Sequence, residues 1–266
     1  MKGIPAIKVK LFGLASLCFS AALLVSFLSS KTQSQGSKST GEDGLSASEQ
    51  DLLNEINQAR AHPDVYARYL SSLKPFFKGK NYQPNGQPAL TTEEGWDAVR
   101  DAINFLSTAK PQGPFNTSRG LRLAAVTHFR DQNATGATGH LGAASSMIED
   151  RVKPFGTWQG AIGENLSYGK ESARERVLTW LIDDGVASRG HRKRLLSADY
   201  KVAGLSCGPH PSFGTMCVLT LAGGFIDLQP AKTGASASTN TANDKAASDK
   251  SNKSAPAKIT PRRSHR

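Results

Sequence analysis

Residues 200–222 read YKVAGLSCGPHPSFGTMCVLTLA, two apolar runs around a turn-rich centre. Tyr200 to Ser206 and Met216 to Ala222 have the β-branched, alternating character of strands, and Gly208-Pro-His-Pro-Ser-Phe-Gly214 supplies the loop between them. Setting Cys207 opposite Cys217 gives an antiparallel register that pairs Leu205 with Leu219 and Ala203 with Leu221. A hairpin with one wholly apolar, buried side is therefore expected, since a slip of one residue turns every side chain to the other face. The remaining cysteine, Cys18, lies in an apolar N-terminal run, so Cys207 and Cys217 are the expected disulfide and imply an oxidising compartment. Closing so short a loop adds about 2–3 kcal/mol.

Upstream of the hairpin the apolar period changes from two to that of a helix. Ser46 with Glu49 is a capping-box pattern, followed by Leu52, Leu53, Ile56 and Ala59 at helical spacing. Pro63 restarts a helix through Val65, Tyr66, Tyr69 and Leu70, and a Pro-, Gly- and Asn-rich stretch from Lys74 to Thr92 reads as a long loop. Trp96, Val99, Ile103 and Leu106 mark the next helix, and Ser118 to Asn133 another, with Leu121, Ala124, Ala125 and His128 along one side. Seven glycines then fall between Gly136 and Gly169, where tight turns and close backbone approach are expected rather than helix. Ser172 with Glu175 opens a helix that ends by Gly185, and His191 to Ser197 reads as a short basic helix.

The ends differ from this middle. Lys2, Lys8 and Lys10 precede an apolar run from Leu11 to Leu28, the order of an export signal or an N-terminal membrane anchor, so residues 1–30 direct the chain out of the cytoplasm whether cleaved or retained. Leu17 stands where a small residue belongs before a lipidated cysteine, which argues against a lipoprotein. Residues 31–44 read as a flexible stalk, 45–229 as the folded domain, and 230–266 as a disordered basic tail without aromatic residues.

Charge follows the same division. The 266 residues carry a formal net charge of +11, but residues 45–229 hold twenty basic and eighteen acidic side chains, and the excess belongs to the ends. That excludes a dedicated nucleic-acid domain, which would concentrate Lys and Arg on a folded face. The cationic end of the tail suits an anionic envelope polymer or membrane surface, or simply keeps the chain soluble. Arg189, Arg192, Lys193 and Arg194 read as a solvated helix face, with the rim of an anionic-ligand site as the other reading. Asn116-Thr-Ser, Asn133-Ala-Thr and Asn165-Leu-Ser match a glycosylation sequon, which matters only in a eukaryote.

No Walker pattern, Gly-x-Gly-x-x-Gly after a strand, or Gly-x-Ser-x-Gly elbow is present, and the two folded cysteines are committed to each other. What remains is His140 in Gly139-His-Leu-Gly142, Glu164 in Gly163-Glu-Asn-Leu-Ser-Tyr-Gly169, Asp183 after Trp180, and His191 in Gly190-His-Arg192. Imidazole and carboxylate suit a borderline divalent ion such as zinc. Spacing leaves two readings open: ligands of one ion, or hydrogen-bonded structural histidines with acids at helix ends.

The succession Leu53-Asn-Glu-Ile-Asn-Gln-Ala-Arg60, Gly120-Leu-Arg-Leu-Ala-Ala125 before His128, Gly139-His140, Gly163-Glu-Asn-Leu166, Trp180, Gly190-His-Arg192 and the closing hairpin with Gly223-Gly-Phe225 resembles the CAP superfamily of SCP-like extracellular proteins, in its bacterial-type form. The resemblance covers Ser46 to Leu228. It implies an α+β fold, a three-layer α-β-α sandwich around a central antiparallel sheet, with a cleft holding two His and two acids. These fall on His140, Glu164, Asp183 and His191. Asp183 stands where the family usually has Glu, so neighbouring Asp184 is the alternative, and His128 is assigned to core hydrogen bonding. The implied function is a secreted or envelope-associated domain that binds a small or lipidic ligand, with one divalent metal, zinc first, as the candidate cofactor. The alternative is a metal-dependent hydrolase or peptidase in which Glu164 or Asp183 acts as general base.

Overall fold

The structure, a computed structural model, describes residues 44–228. The expectations for residues 1–30, for the stalk up to residue 43 and for the tail 230–266 lie outside the described residues. In chain order the elements are α1 (Ala47–Ala61), α2 (Pro63–Ser72), β1 (Phe77–Lys78), β2 (Asn81–Tyr82), β3 (Leu90–Thr91), α3 (Trp96–Thr108), β4 (Asn116–Thr117), α4 (Arg119–Thr135), α5 (Ile148–Val152), β5 (Gly156–Tyr168), α6 (Ala173–Ile182), α7 (Gly190–Leu196), β6 (Val202–His210) and β7 (Gly214–Asp227).

The hairpin has the register expected from its cysteines: Cys207 faces Cys217 with Cα atoms 4.1 Å apart and a disulfide between them, Leu205 faces Leu219, and Ala203 faces Leu221. It is longer than the two apolar runs, and β5 pairs antiparallel along the other side of β7. The sheet order is β4-β6-β7-β5, with the two-residue β4 added parallel to β6 at one edge.

One expectation about the hairpin needs correction, because both of its faces are buried rather than one. Ala203, Leu205, Cys217, Leu219 and Leu221 join the large core formed with α1, α2, α3, α6 and α7. The opposite face, with Met216, Val218 and Ala222, is covered by Leu121, Ala124 and Ala125 of α4 and Val152 of α5. The result is the α-β-α sandwich. Gly204 makes the second contact so close that a Cβ there would meet the backbone of Leu121 and Arg122.

Local sequence explains where the helices start. Ser46 Oγ accepts the Glu49 N–H at 3.4 Å and the Glu49 carboxylate accepts the Ser46 N–H at 2.8 Å, closing the capping box of α1. The same carboxylate accepts the Cys207 N–H at 2.8 Å, which ties the start of α1 to the hairpin. Ser172 and Glu175 repeat the device on α6.

Two stretches depart from expectation. Lys74 to Thr92 contains a small antiparallel sheet of β1, β2 and β3, in which Phe77 stacks on Tyr82 with ring centres 4.8 Å apart and meets Trp96 at 5.5 Å. Two-residue strands leave no period to read. The glycine-rich region holds the short α5 and the 13-residue β5. Glycine serves close packing there: a Cβ on Gly156 would collide with the Ile226 carbonyl and the Phe225 ring. Among the described residues no helix is long and apolar enough to cross a membrane.

Candidate functional site

β5 is the outer strand of the sheet, and consecutive residues on it point to opposite faces. Glu164 points toward α4 and α5, and Asn165 toward α7. The four residues singled out in the sequence therefore form two His–carboxylate pairs, one on each side of this strand.

In the first pair His140 Nδ1 lies 2.9 Å from Glu164 Oε1. Glu164 is 3% exposed, and its other oxygen accepts from Arg151 Nη2 at 2.8 Å. Arg151 is itself buried and donates through Nη1 to the carbonyls of His140 at 3.1 Å and Ser146 at 2.8 Å. Burial alone would raise the Glu164 carboxyl, but the hydrogen bond from His140 and the neighbouring positive charge outweigh it and hold the group below its ordinary value. His128, fully buried, lies 3.7 Å from Glu164 Oε1, and burial pushes its imidazole below the usual range, so we assign it as neutral. The positive charge beside Glu164 is accordingly that of Arg151.

Two residues missed in the sequence, Tyr168 and Gln132, fix the approach of His140 together with His128. Tyr168 Oη donates to Gln132 Oε1 at 2.8 Å and accepts the Gly139 N–H at 2.9 Å. Gln132 Nε2 donates to the Gly139 carbonyl, and His128 Nε2 lies 3.0 Å from that same oxygen. Gly139, the residue before His140, is thus gripped at both ends. Burial pushes the Tyr168 hydroxyl up, so it keeps the proton it donates. Strand alternation from Glu164 to Tyr168 and the four-residue helical spacing from His128 to Gln132 were the available signals; Arg151 had none, because its contacts are made by the tertiary fold.

In the second pair Asp183 Oδ1 meets His191 Nδ1 at 2.6 Å while Oδ2 accepts the His191 backbone N–H at 2.8 Å. Asp183 is 3% exposed and ends α6 in the left-handed region, at φ 57° and ψ 43°. Asp184 points elsewhere, accepting the backbone N–H groups of Glu93 and Glu94 at 2.6 and 2.8 Å. Asn165 joins the two sides: its Nδ2 donates to the His191 carbonyl at 3.1 Å.

Among the described residues no three His, Cys, Asp or Glu side chains form one metal-holding cluster. The pairs do have the chemistry of oriented imidazole ligands. A carboxylate accepts, so each Nδ1 carries hydrogen, and in the neutral ring Nε2 is then the atom with the free lone pair.

A family model described as the cysteine-rich secretory protein family, CAP, matches residues 53–221. The chain belongs to the CAP family. No curated protein and no solved structure matches it. The match spans the CAP domain from α1 to β7 and includes both His–carboxylate pairs and the disulfide. The described part is thus an extracellular-type CAP domain. The basic helix of this domain is not a solvated face throughout: Arg192 is 1% exposed and donates to Asp101 at 2.6 Å. Asn165 of the third sequon match is fully buried, so in the folded CAP domain it is closed to glycosylation.

Proposed function

We propose that this is an exported CAP domain that binds a small or lipidic ligand beside His140, with one divalent ion, zinc first, held by the Nε2 atoms of His140 and His191. On this reading Glu164 and Asp183 orient the imidazoles and are not ligands themselves. Such carboxylate–imidazole pairs fix the ring and raise its basicity toward a metal. A bound ion would supply Lewis acidity and a fixed positive charge for a polar ligand group.

The observation that carries binding over turnover is the engagement of the acids. Both oxygens of Glu164 and both of Asp183 already hold donors, and each residue is 3% exposed. A general base needs a group that reaches water, so Glu164 and Asp183, to which the hydrolase alternative gives that part, are poorly placed for it. An apolar ligand is supported by Leu141, 58% exposed beside His140, and Met147, 45% exposed in the same loop. A hollow of about 260 Å3 lies against Arg151, with Ala143, Pro154 and Phe155 as its apolar wall and Thr127, Asp131 and Asp150 on its polar side. Residues 1–30 are proposed as the export segment and 230–266 as the part attracted to anionic envelope polymer.

Zinc titration of the full chain with a competing chelator tests the metal reading. One ion per chain is expected, with at least tenfold weaker binding in His140→Ala and in His191→Ala. Equal binding by both variants, or none by the parent, ends it.

A further inference from the structure

The loop from Asp183 to Arg189 is bounded by two non-glycine residues in the left-handed region, Asp183 at φ 57° and Arg189 at φ 51°. Each conformation is costly unless its surroundings over-determine it. The surroundings here come from a part of the chain about 90 residues earlier, at the beginning of α3. Arg189 holds the Glu94 carboxylate in a two-pronged contact, Nη1 to Oε1 and Nη2 to Oε2, both at 2.6 Å, and its Nε donates to Asp101 at 2.9 Å. Glu94 Oε1 also accepts the Gly185 N–H at 2.8 Å, while Asp184 accepts the Glu93 and Glu94 N–H groups. The contact that reaches the site is the Arg189 Nη1 donation to the Asp183 carbonyl at 2.8 Å.

We infer that Arg189, clamped by Glu94, is a positioning residue that sets the backbone of Asp183 and through it the orientation of the His191 ring. The chain of contact is short. Glu94 fixes the guanidinium, the guanidinium holds the Asp183 carbonyl, and Asp183 in its left-handed conformation presents both carboxylate oxygens to His191. The planar fork is essential to this role, because one group must meet a bidentate carboxylate, a second carboxylate and a backbone carbonyl at once, and an ammonium cannot match that geometry. His140 stands outside the chain of contact, since Glu164, Arg151, Gln132 and Tyr168 hold it independently. The link to metal binding rests on the proposed function; the orientation of His191 does not.

The test compares the full chain with Arg189→Ala, Arg189→Lys and Glu94→Gln at pH 8, reading the ring tautomers of His140 and His191 by nitrogen-15 NMR and zinc affinity by chelator competition. The parent is expected to show both rings protonated at Nδ1. Each variant should mix the tautomers of His191 alone and weaken zinc binding at least fivefold, with His140 unchanged. An unchanged His191 tautomer in the variants overturns the inference, as does an equal disturbance of both histidines, which would mean general loosening. If Arg189→Ala fails to fold, Glu94→Gln decides, because it removes charge from the clamp and leaves the arginine in place. A parent that binds no zinc but shows the selective change at His191 keeps the positioning role and removes only the metal reading.

Discussion

With both oxygens occupied inside the fold, Glu164 stays ionised because Arg151 and His140 reach it where water does not. Its carboxyl is lower in the native state than its ordinary value of 4.5, so the stability it contributes is present above about pH 4.5 and lost as pH falls through the lower native value. His128 also loses stability toward acid, by another route. Its native imidazole is depressed by burial, so the unfolded chain takes up the proton first once the pH falls below the ordinary value of 6.5. Thermal unfolding followed from pH 8 to pH 3 should therefore show two descents. His128→Gln should flatten the one that begins near 6.5, and Glu164→Gln the one below 4.5, at a cost near pH 7 of about 3 kcal/mol for leaving Arg151 buried without its counter-charge. His140, Glu164 and His191 were legible because each sits in a short glycine-flanked motif. Arg151 was not, because its contacts are made by the tertiary fold, and Gln132 and Tyr168 showed only as same-face neighbours of His128 and Glu164.

At the level of elements, capping boxes and the hairpin register were legible because both are local rules. Ser46 with Glu49 and Ser172 with Glu175 open the helices they should, and two cysteines were enough to align β6 with β7. The strand β5 was hidden by its own glycines. They read as turns, whereas Gly156 serves a contact with β7 that no other side chain allows. The same demand at Gly204 makes a sharp prediction. The methyl of Gly204→Ala would have to push α4 away from β6, and moving two backbones apart costs more than shifting a side chain, about 3 kcal/mol or more. For a domain of this size that corresponds to a fall in Tm of about 6–12 °C by calorimetry. A change under about 2 °C would mean that α4 is free to move from the sheet.

Across the whole molecule the fold class was legible through the resemblance carried by the ordered motifs, and the structure supplies its physical reason, since a sheet buried on both faces requires helices on both. The single buried face read from the hairpin was too narrow, since Met216, Val218 and Ala222 are as apolar as the residues between them. Charge partition also belongs to this scale. A folded part with nearly balanced charge and a tail with eight basic and two acidic residues should behave independently toward polyanions. In a salt-titrated pull-down on anionic envelope polymer, the full chain should bind below about 0.1 M salt and release above it, and a chain lacking residues 230–266 should not bind. Equal retention of the two would place the attraction in the domain.

The indole N–H of Trp180 donates to the Leu166 carbonyl at 2.8 Å, and the Tyr200 hydroxyl lies 3.4 Å from the Ile162 carbonyl, so two acceptors of the outer strand are taken by side chains of its own fold. At the opposite edge β4 offers only two residues. A long open strand would let one copy template the next into a fibre. The capped carbonyls and the short β4 leave less open strand for a second copy to pair with.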